Sequence, residues 1–227
     1  MATLLEIEDL CLGFDGKAIL GIAKLAVEAG DFVCIVGANG AGKSTLVKAI
    51  LGLIKPMAGT IRYQNGLART QIGYLPQETR PDGNFPATVE EIVLSGCLGH
   101  MGWRPFYCHK EKQHVCRSLK TLGINDLAKK SFVDLSGGQK QKVLLARSLS
   151  ATTKMLILDE PSNNLDHKSR KDFYKTLKML NRERGLTILM ITHDLDANDL
   201  IGNKIISIKD GEAALFTTKE YLEGLKK

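Results

Sequence analysis

A glycine-rich segment that contains one lysine, residues 37–45, has the composition of a phosphate-binding loop. Its sequence, GANGAGKST, fits the pattern G-x-x-x-x-G-K-[ST]. In this pattern backbone N–H groups surround phosphates, the lysine reaches the β- and γ-phosphates, and the hydroxyl binds Mg²⁺. The strand-like run FVCIV precedes the loop and the helical pattern STLVKAIL follows it, which is the context that the motif requires. We therefore predict that a nucleotide is bound by Gly37, Asn39, Gly40, Gly42, Lys43, Ser44 and Thr45, with Ser44 as a ligand of Mg²⁺.

Two adjacent acids, Asp159 and Glu160, end a strand-like run in the segment KMLILDEP. The apolar residues before them indicate a buried strand, and ligands of open α/β sheets bind at the carboxyl ends of the strands. Asp159 is therefore predicted to bind Mg²⁺, and Glu160 to act as general base on the water that attacks the γ-phosphate. A purely structural role for Glu160 is the alternative. Together with Lys43 and Ser44, the two acids favour hydrolysis of the nucleotide over binding alone.

A second turn, in the segment LSGGQKQKVLLARSL at residues 135–149, also has the form of an anion-binding site. Ser136, Gly137 and Gly138 precede a helical pattern, and free backbone N–H groups at the start of a helix attract anions. The turn lacks the lysine of the first loop. The sequence thus holds two candidate phosphate-binding turns, of which only one carries its own positive charge.

Strand and helix patterns alternate along the chain. Short apolar runs in FVCIVG, QIGYLPQ, MLILDE, TILMITH and KIISIKDG indicate buried parallel strands. Helical patterns lie at residues 44–53, 139–149, 168–184 and 219–226. We predict an α/β fold, a phosphate-loop NTPase core with a mostly parallel sheet and antiparallel β elements near the N-terminus. Strand patterns stop from 88 to 127, so a helical subdomain at about 88–134 is predicted within one domain of residues 1–227.

The net charge of +6 would suit nucleic acid or an anionic membrane surface. Many of the positive charges lie in HKSRKDFYKTLKMLNRERG and are typical of the solvated side of one helix: Lys168, Lys171, Lys175 and Lys178. No apolar run approaches the length that spans a bilayer, about 20 residues, and the first residues lack the pattern of a signal peptide. We therefore expect the chain in the cytoplasm, on the inner side of the membrane if it has a membrane partner.

Five cysteines are expected to be reduced thiols. Two of them belong to a group of four potential metal ligands in the segment CHKEKQHVC: Cys108, His109, His114 and Cys116. Their spacing fits no standard structural zinc site, and Cys108 and His109 would project about 100° apart on a helix. We interpret the four as side chains of a small helical insert.

The motifs together resemble those of the ATP-binding cassette (ABC) ATPases, over essentially the whole chain. They follow the order of that family: GANGAGKST, YLPQ, LSGGQ, LILDEP, SNNLD and ITHD. The resemblance implies that Gln77 contacts Mg²⁺ and the attacking water, and that His193 lies near the γ-phosphate. It also implies that Asp166 belongs to a loop that crosses to a partner. Phe14 stands where the family stacks an aromatic residue on adenine; a place in the core is the alternative.

The same resemblance implies a use for the second turn. Cassettes of this family pack head to tail in pairs, and each ATP lies between the phosphate loop of one and the LSGGQ turn of the other. Ser136, Gly137 and Gly138 would then hold the γ-phosphate of the ATP bound to the partner. Lys43 of that partner already neutralises part of the phosphate charge, so the turn needs no lysine. We expect a homodimer. The chain departs from the family at Lys142, where arginine is common, and in SNNLD, where smaller residues are frequent.

Two further segments, YLPQETRPDGNFPATVEEIVLSG and GHMGWRPF, resemble the zinc/manganese-uptake branch of the family. This resemblance implies the ATP-hydrolysing subunit of a membrane importer, with a separate integral permease and an extracytoplasmic substrate-binding protein. An iron-siderophore or cobalamin importer and a regulatory ABC ATPase without transport are the alternatives. An ATPase that acts on nucleic acid or the ribosome has only the basic charge in its favour, so no nucleic-acid partner is expected.

Overall fold

The computed structural model describes residues 2–77, 86–101, 103–152, 154–163, 165–193 and 202–225. The strands are β1 (Thr3–Phe14), β2 (Lys17–Glu28), β3 (Phe32–Gly37), β4 (Ala58–Tyr63), β5 (Ile72–Leu75), β6 (Met155–Asp159), β7 (Thr187–Ile191), β8 (Lys204–Lys209) and β9 (Glu212–Thr217). The helices are α1 (Lys43–Ile50), α2 (Val89–Ser95), α3 (Leu98–Met101), α4 (His109–Thr121), α5 (Gly137–Ser150), α6 (His167–Arg184) and α7 (Thr218–Gly224). Short 3₁₀ helices lie at Arg69–Gln71, Asn125–Leu127 and Phe132–Asp134. None of the described helices is long and apolar enough to cross a membrane.

The chain divides into two compact units. The first consists of Met1–Arg69 and Leu180–Lys227, and the second of Thr70–Met179. The first unit contains the predicted phosphate loop and His193. The second contains the predicted acids, Gln77 and the LSGGQ turn. The extent of the helical subdomain, about 88–134, stays a prediction.

In the first unit the strands lie in the order β4-β1-β2-β9-β8-β3-β7. Strands β1 and β2 form an antiparallel hairpin, β4 pairs with β1, and β8 pairs with β9. Both hairpins turn through an Asp-Gly pair in which each residue has a positive φ: 49° and 76° at Asp15-Gly16, and 51° and 80° at Asp210-Gly211. Such pairs match the right-handed twist of the flanking strands. The antiparallel β elements predicted near the N-terminus are confirmed.

Strand β3 is the centre of the parallel part of this unit. It pairs in parallel with β7 on one side and with β8 on the other, and its residues from Phe32 to Val36 are buried. A strand that is covered on both faces needs a continuous apolar run, which FVCIV supplies. The register places the ends of the strands together, with Ile35 opposite Ile191 and Gly37 opposite Ile208.

The start of β3 is fixed by a buried polar network. Asp31 is 2% exposed; its carboxylate accepts hydrogen bonds from Lys204 Nζ and Asn203 Nδ2, each at 2.9 Å. Asn203 Oδ1 in turn accepts from the backbone N–H of Phe32 at 2.6 Å. The network ties the first residues of β3 and β8 together at the edge opposite the phosphate loop.

In the second unit β5 and β6 pair in parallel, with Leu75 opposite Leu158. Both strands therefore end at the same edge, and the residues that follow them are neighbours. Helices α2, α4 and α5 pack in the same unit, and α5 is buried on all sides at Val143, Leu144, Leu145 and Ala146. The helical pattern predicted over residues 88–127 is confirmed by α2, α3 and α4.

Candidate functional site

The phosphate loop follows β3 without a gap in the described chain. Gly37 has φ 159°, and a Cβ atom there would lie 2.7 Å from the carbonyl oxygen of Ile208 in β8. Gly42 has φ 101° and caps the N-terminus of α1, with Leu20 and Ile19 of β2 close by. Side chains at these two positions would clash or strain the backbone. The glycines therefore let the loop turn tightly against β8 and β2 on its way to the N-terminus of α1, where helix N–H groups attract anions.

Lys43 is held inside this loop. Its side chain is almost entirely buried, at 6% exposed, and its ammonium donates hydrogen bonds of 2.9 Å to the carbonyl oxygens of Gly37 and Ala38. The lysine therefore bridges the loop and keeps its positive charge at the N-terminus of α1. An anion that enters the loop meets both the charge and the N–H groups of the helix start.

His193 and Phe14 lie in the same unit as the loop. The N–H of Thr192 donates to the carbonyl oxygen of Ile35 at 3.2 Å, so the residue that follows, His193, comes just after the paired ends of β7 and β3, and it is exposed. Phe14 ends β1 next to the hairpin turn and is 51% exposed. A place in the core, the alternative for Phe14, does not fit that exposure.

The two acids lie at the carboxyl end of β6, as predicted. Asp159 is its last residue and is buried at 4% exposed. Burial and, second, the charge of Asp159 raise the pKa of Tyr74 on the neighbouring strand β5. Glu160 follows directly, and its Oε2 accepts a hydrogen bond of 2.7 Å from Nε2 of Gln77. Because Gln77 comes two residues after the end of β5, the parallel pairing of β5 and β6 brings these two predicted residues into contact.

Glu160 occupies an unusual backbone conformation, with φ 47°. This region is rarely adopted by residues with a side chain and costs about 1 kcal/mol or more. It begins a tight turn in which the N–H of Asn163 bonds to the carbonyl oxygen of Glu160 at 3.4 Å, with Pro161 at the position that proline favours. Gln141 of α5 donates 2.6 Å to the carbonyl oxygen of Pro161. The strained residue is thus part of a well-anchored turn.

The LSGGQ turn is the N-terminus of α5. Ser136 caps the helix, and Gln139 completes a capping box with it: Ser136 N donates to Gln139 Oε1 at 3.0 Å. Gly138 lies against α6, where an added Cβ would be 3.1 Å from Oγ of Ser169. A cavity of about 250 Å³ beside the turn is lined by Ser136, Gly138, Gln139, Lys142 and Ser169, among others. The glutamine of the motif therefore stabilises the helix start, Ser136 and Gly137 are exposed, and Gly138 is half-buried against α6.

Asp166 caps α6. Its Oδ1 accepts 3.0 Å hydrogen bonds from the N–H groups of Lys168 and Ser169, and its Oδ2 accepts from Oγ of Ser169 at 2.7 Å. Hydrogen bonds from Ser169 are the main reason that the pKa of Asp166 is lowered. Its contact with a partner chain stays a prediction.

The four potential metal ligands near residue 108 lie at the start of α4 and along it. Cys108 is the N-cap, with its N–H donating to Glu111 Oε2 at 2.6 Å, and the His109 ring contacts Gln113. Two residues of the site belong to motifs quoted from the sequence but had no role predicted for them: Asn163, in SNNLD, and Gln141, just after LSGGQ. Both residues make hydrogen bonds in the turn after Glu160, and no spacing pattern in the sequence predicts that turn.

A protein-family model described as ABC transporter matches residues 20–163. The chain belongs to this family. As an ABC transporter ATP-binding protein it is an ATPase.

Two relatives cover most of the chain. It is 37% identical over 214 residues to the high-affinity zinc uptake system ATP-binding protein ZnuC of Bacillus subtilis, covering 92% of each chain. It is 35% identical, over 92% of this chain and 83% of the other, to the zinc uptake system ATP-binding protein ZurA of Listeria innocua.

Solved ABC structures have the same fold. One is cbiO1 of Clostridium perfringens, part of the ABC transporter complex cbiONQ, with a TM-score of 0.84 and 30% identity over 100% of this chain and 92% of that one. Another is a dimeric ATP-binding cassette in a post-hydrolysis state with ADP and phosphate bound; its TM-score is 0.72, with 28% identity over 94% of this chain and 98% of that one.

Proposed function

We propose that this ABC ATPase is the energising subunit of a membrane importer for a divalent metal ion, zinc or manganese. The functions of the relatives support this substrate class, since ZnuC and ZurA belong to zinc uptake systems. In this proposal the chain lies at the cytoplasmic face of the membrane, bound to an integral permease that receives the ion from an extracytoplasmic binding protein.

The observation that carries the catalytic part is the hydrogen bond between Gln77 and Glu160. A carboxylate that is oriented by an amide at the end of a buried strand is suited to take a proton from water, and in this proposal Gln77 also contacts that water. In the proposal Lys43 and the N–H groups of the loop bind the β- and γ-phosphates, and His193 contacts the γ-phosphate. Phe14 offers its exposed ring to the adenine.

The residues assigned to Mg²⁺ fit that ion by their chemistry. Asp159 offers a carboxylate, Ser44 a hydroxyl and Gln77 an amide oxygen, and Mg²⁺ binds oxygen ligands together with the phosphates of a nucleotide. When bound, the ion would neutralise charge on the phosphates. The near-complete burial of Asp159 supports this assignment, because a buried carboxylate favours a cation as its neighbour.

A second copy of the chain completes each ATP site in this proposal. The LSGGQ turn offers the start of a helix to an anion but has no lysine within the motif itself, although Lys142 lines the cavity beside it, whereas Lys43 supplies a charge inside the phosphate loop. A head-to-tail homodimer would let each turn meet the γ-phosphate on the other subunit. The dimeric cassette among the similar structures supports this arrangement.

The permease contact is proposed for the helical segment of the second unit. Large apolar side chains are exposed there: Trp103 is fully exposed, Phe106 is 81% exposed and Leu98 is 58% exposed. An apolar cavity of about 530 Å³ lies in the same unit, lined by Ala87, Ile92, Leu94 and Tyr107, among others. Apolar surface of this kind marks an interaction site.

Metal uptake by cells tests the function as a whole. Cells whose only copy of the chain carries Glu160→Gln should lose uptake of radioactive zinc or manganese while the variant still binds ATP and accumulates normally. Loss of iron-siderophore or cobalamin uptake, with zinc and manganese uptake unchanged, would identify a different importer. Normal uptake of all four substrates would contradict a role in transport and favour a regulatory ATPase.

A further inference from the structure

Asn163 contacts the carboxylate of the proposed catalytic base. Its Nδ2 donates a hydrogen bond to Oε2 of Glu160, the same oxygen that accepts from Gln77 Nε2 at 2.7 Å. The two amides come from different elements, one after β5 and one from the turn after β6. The carboxylate is therefore held from two directions by neutral donors.

The turn that carries Asn163 is anchored by two helices. Gln141 of α5 bonds to the carbonyl oxygen of Pro161 at 2.6 Å. The buried hydroxyl of Ser162 lies 2.9 Å from the hydroxyl of Tyr174 in α6. With the two residues before it held in this way, Asn163 presents its amide at a smaller loss of side-chain entropy.

The backbone of Glu160 makes this support necessary. With φ 47° the residue lies in a region that a side chain disfavours, so local preferences alone would not keep the carboxylate in one orientation. Strained residues persist where the surrounding structure determines them. The contacts around Glu160 include the turn hydrogen bond and the amides of Asn163 and Gln77.

We infer that Asn163 is a positioning residue, which holds the Glu160 carboxylate in the orientation for proton abstraction from the attacking water. The inference rests on the proposed role of Glu160 as general base. It also gives a role to Asn163, the first asparagine of SNNLD, a motif in which smaller residues are frequent in the family. An alanine at this position could not donate to the carboxylate.

Two substitutions separate the hydrogen bond that the Asn163 amide donates from the volume that its side chain fills. Asn163→Asp keeps the size of the side chain and replaces the donor by a carboxylate that repels Glu160. Asn163→Ala removes the donor and its volume. If the amide positions Glu160, the aspartate variant is the slower one: we expect kcat for ATP hydrolysis to fall about 10-fold in N163A and about 100-fold in N163D, with KM for ATP within about twofold, because misorientation of a catalytic group affects the chemical step.

The experiment measures steady-state ATPase activity and thermal unfolding of the purified full chain. Asn125→Asp, the same chemical change at an exposed position of the same unit, is the control and should keep the wild-type kcat. The expected result is the order N163D slower than N163A, with unfolding temperatures close to that of the wild type. An N163D variant within about twofold of the wild type, or one that is faster than N163A, would overturn the positioning role.

Glu160→Gln, measured in parallel, distinguishes failure of the proposed catalytic base from failure of the positioning role of Asn163. Wild-type turnover in E160Q would contradict the proposed base, and with it the positioning role. An inactive E160Q together with a fully active N163D would overturn the role of Asn163 alone.

Discussion

The structure of the phosphate loop allows the charge of Lys43 to be separated from its bulk. Lys43→Met keeps an unbranched, apolar side chain in the buried space and removes the ammonium. Lys43→Ala removes both. Because the side chain is 6% exposed and its Nζ lies 2.9 Å from two carbonyl oxygens, the two variants should differ in stability but not in the loss of nucleotide affinity.

The expected magnitudes follow from the contacts. A hydrogen bond to a charged group contributes about 1.5–3 kcal/mol, so both variants should bind ATP about 10- to 100-fold more weakly. K43A also loses the packing of three buried methylene groups, at about 0.8 kcal/mol each, which lowers its free energy of unfolding by roughly 2 kcal/mol. In K43M the lost hydrogen bonds are offset by removal of a buried charge, and the change should stay within about 1 kcal/mol.

Isothermal titration with ATP and urea unfolding of the same preparations measure both quantities. Unchanged ATP affinity in K43M would refute the role of the ammonium at the phosphates. Equal destabilisation of K43M and K43A would refute the expectation that the difference in stability comes from the packing of the three buried methylene groups.

Two further predictions concern polar contacts within each of the two units. Asp31→Ala should lower the free energy of unfolding by about 3 kcal/mol in urea titrations, because it leaves Lys204 without its most buried acceptor; a loss below about 1 kcal/mol would contradict this reading of the network. Hydrogen bonds from Cys108 and Arg104 lower the pKa of Glu111 to about 2 from 4.5. This stabilisation is therefore present above pH 4.5 and is lost as the pH falls toward 2. Unfolding measured over that range should depend less steeply on pH in Glu111→Gln, and parallel curves would argue against the pKa shift.

Much of the parallel core could be predicted from sequence because its elements are bounded by glycine or by charge. The run FVCIVG predicts β3, which the structure has at Phe32–Gly37, and the helix predicted over 168–184 is α6, His167–Arg184. The phosphate loop and the pair Asp159 and Glu160 could be located because each motif directly follows an apolar strand pattern in the sequence. Contact between Gln77 and Glu160 then follows from the parallel pairing of β5 and β6.

Strands β4 and β9 could not be predicted in the same way. Most residues of each are exposed, so neither is a buried apolar strand, and they form by pairing with β1 and β8. The Asp210-Gly211 pair after an apolar strand was a usable signal for the second hairpin. No comparable signal exists for Asn163 and Gln141, since their contacts depend on the positive φ of Glu160 and on the position of α5.

A complementation assay tests most directly whether each ATP is hydrolysed at a site that two copies share. Lys43→Met and Ser136→Arg variants, each inactive alone, are mixed in equal amounts and ATP hydrolysis is measured. In a mixed dimer the intact loop of the Ser136→Arg chain faces the intact turn of the Lys43→Met chain. We predict about a quarter of the wild-type rate, since about half of the dimers are mixed and each holds one complete site. A mixture no faster than its separate components would contradict the shared site.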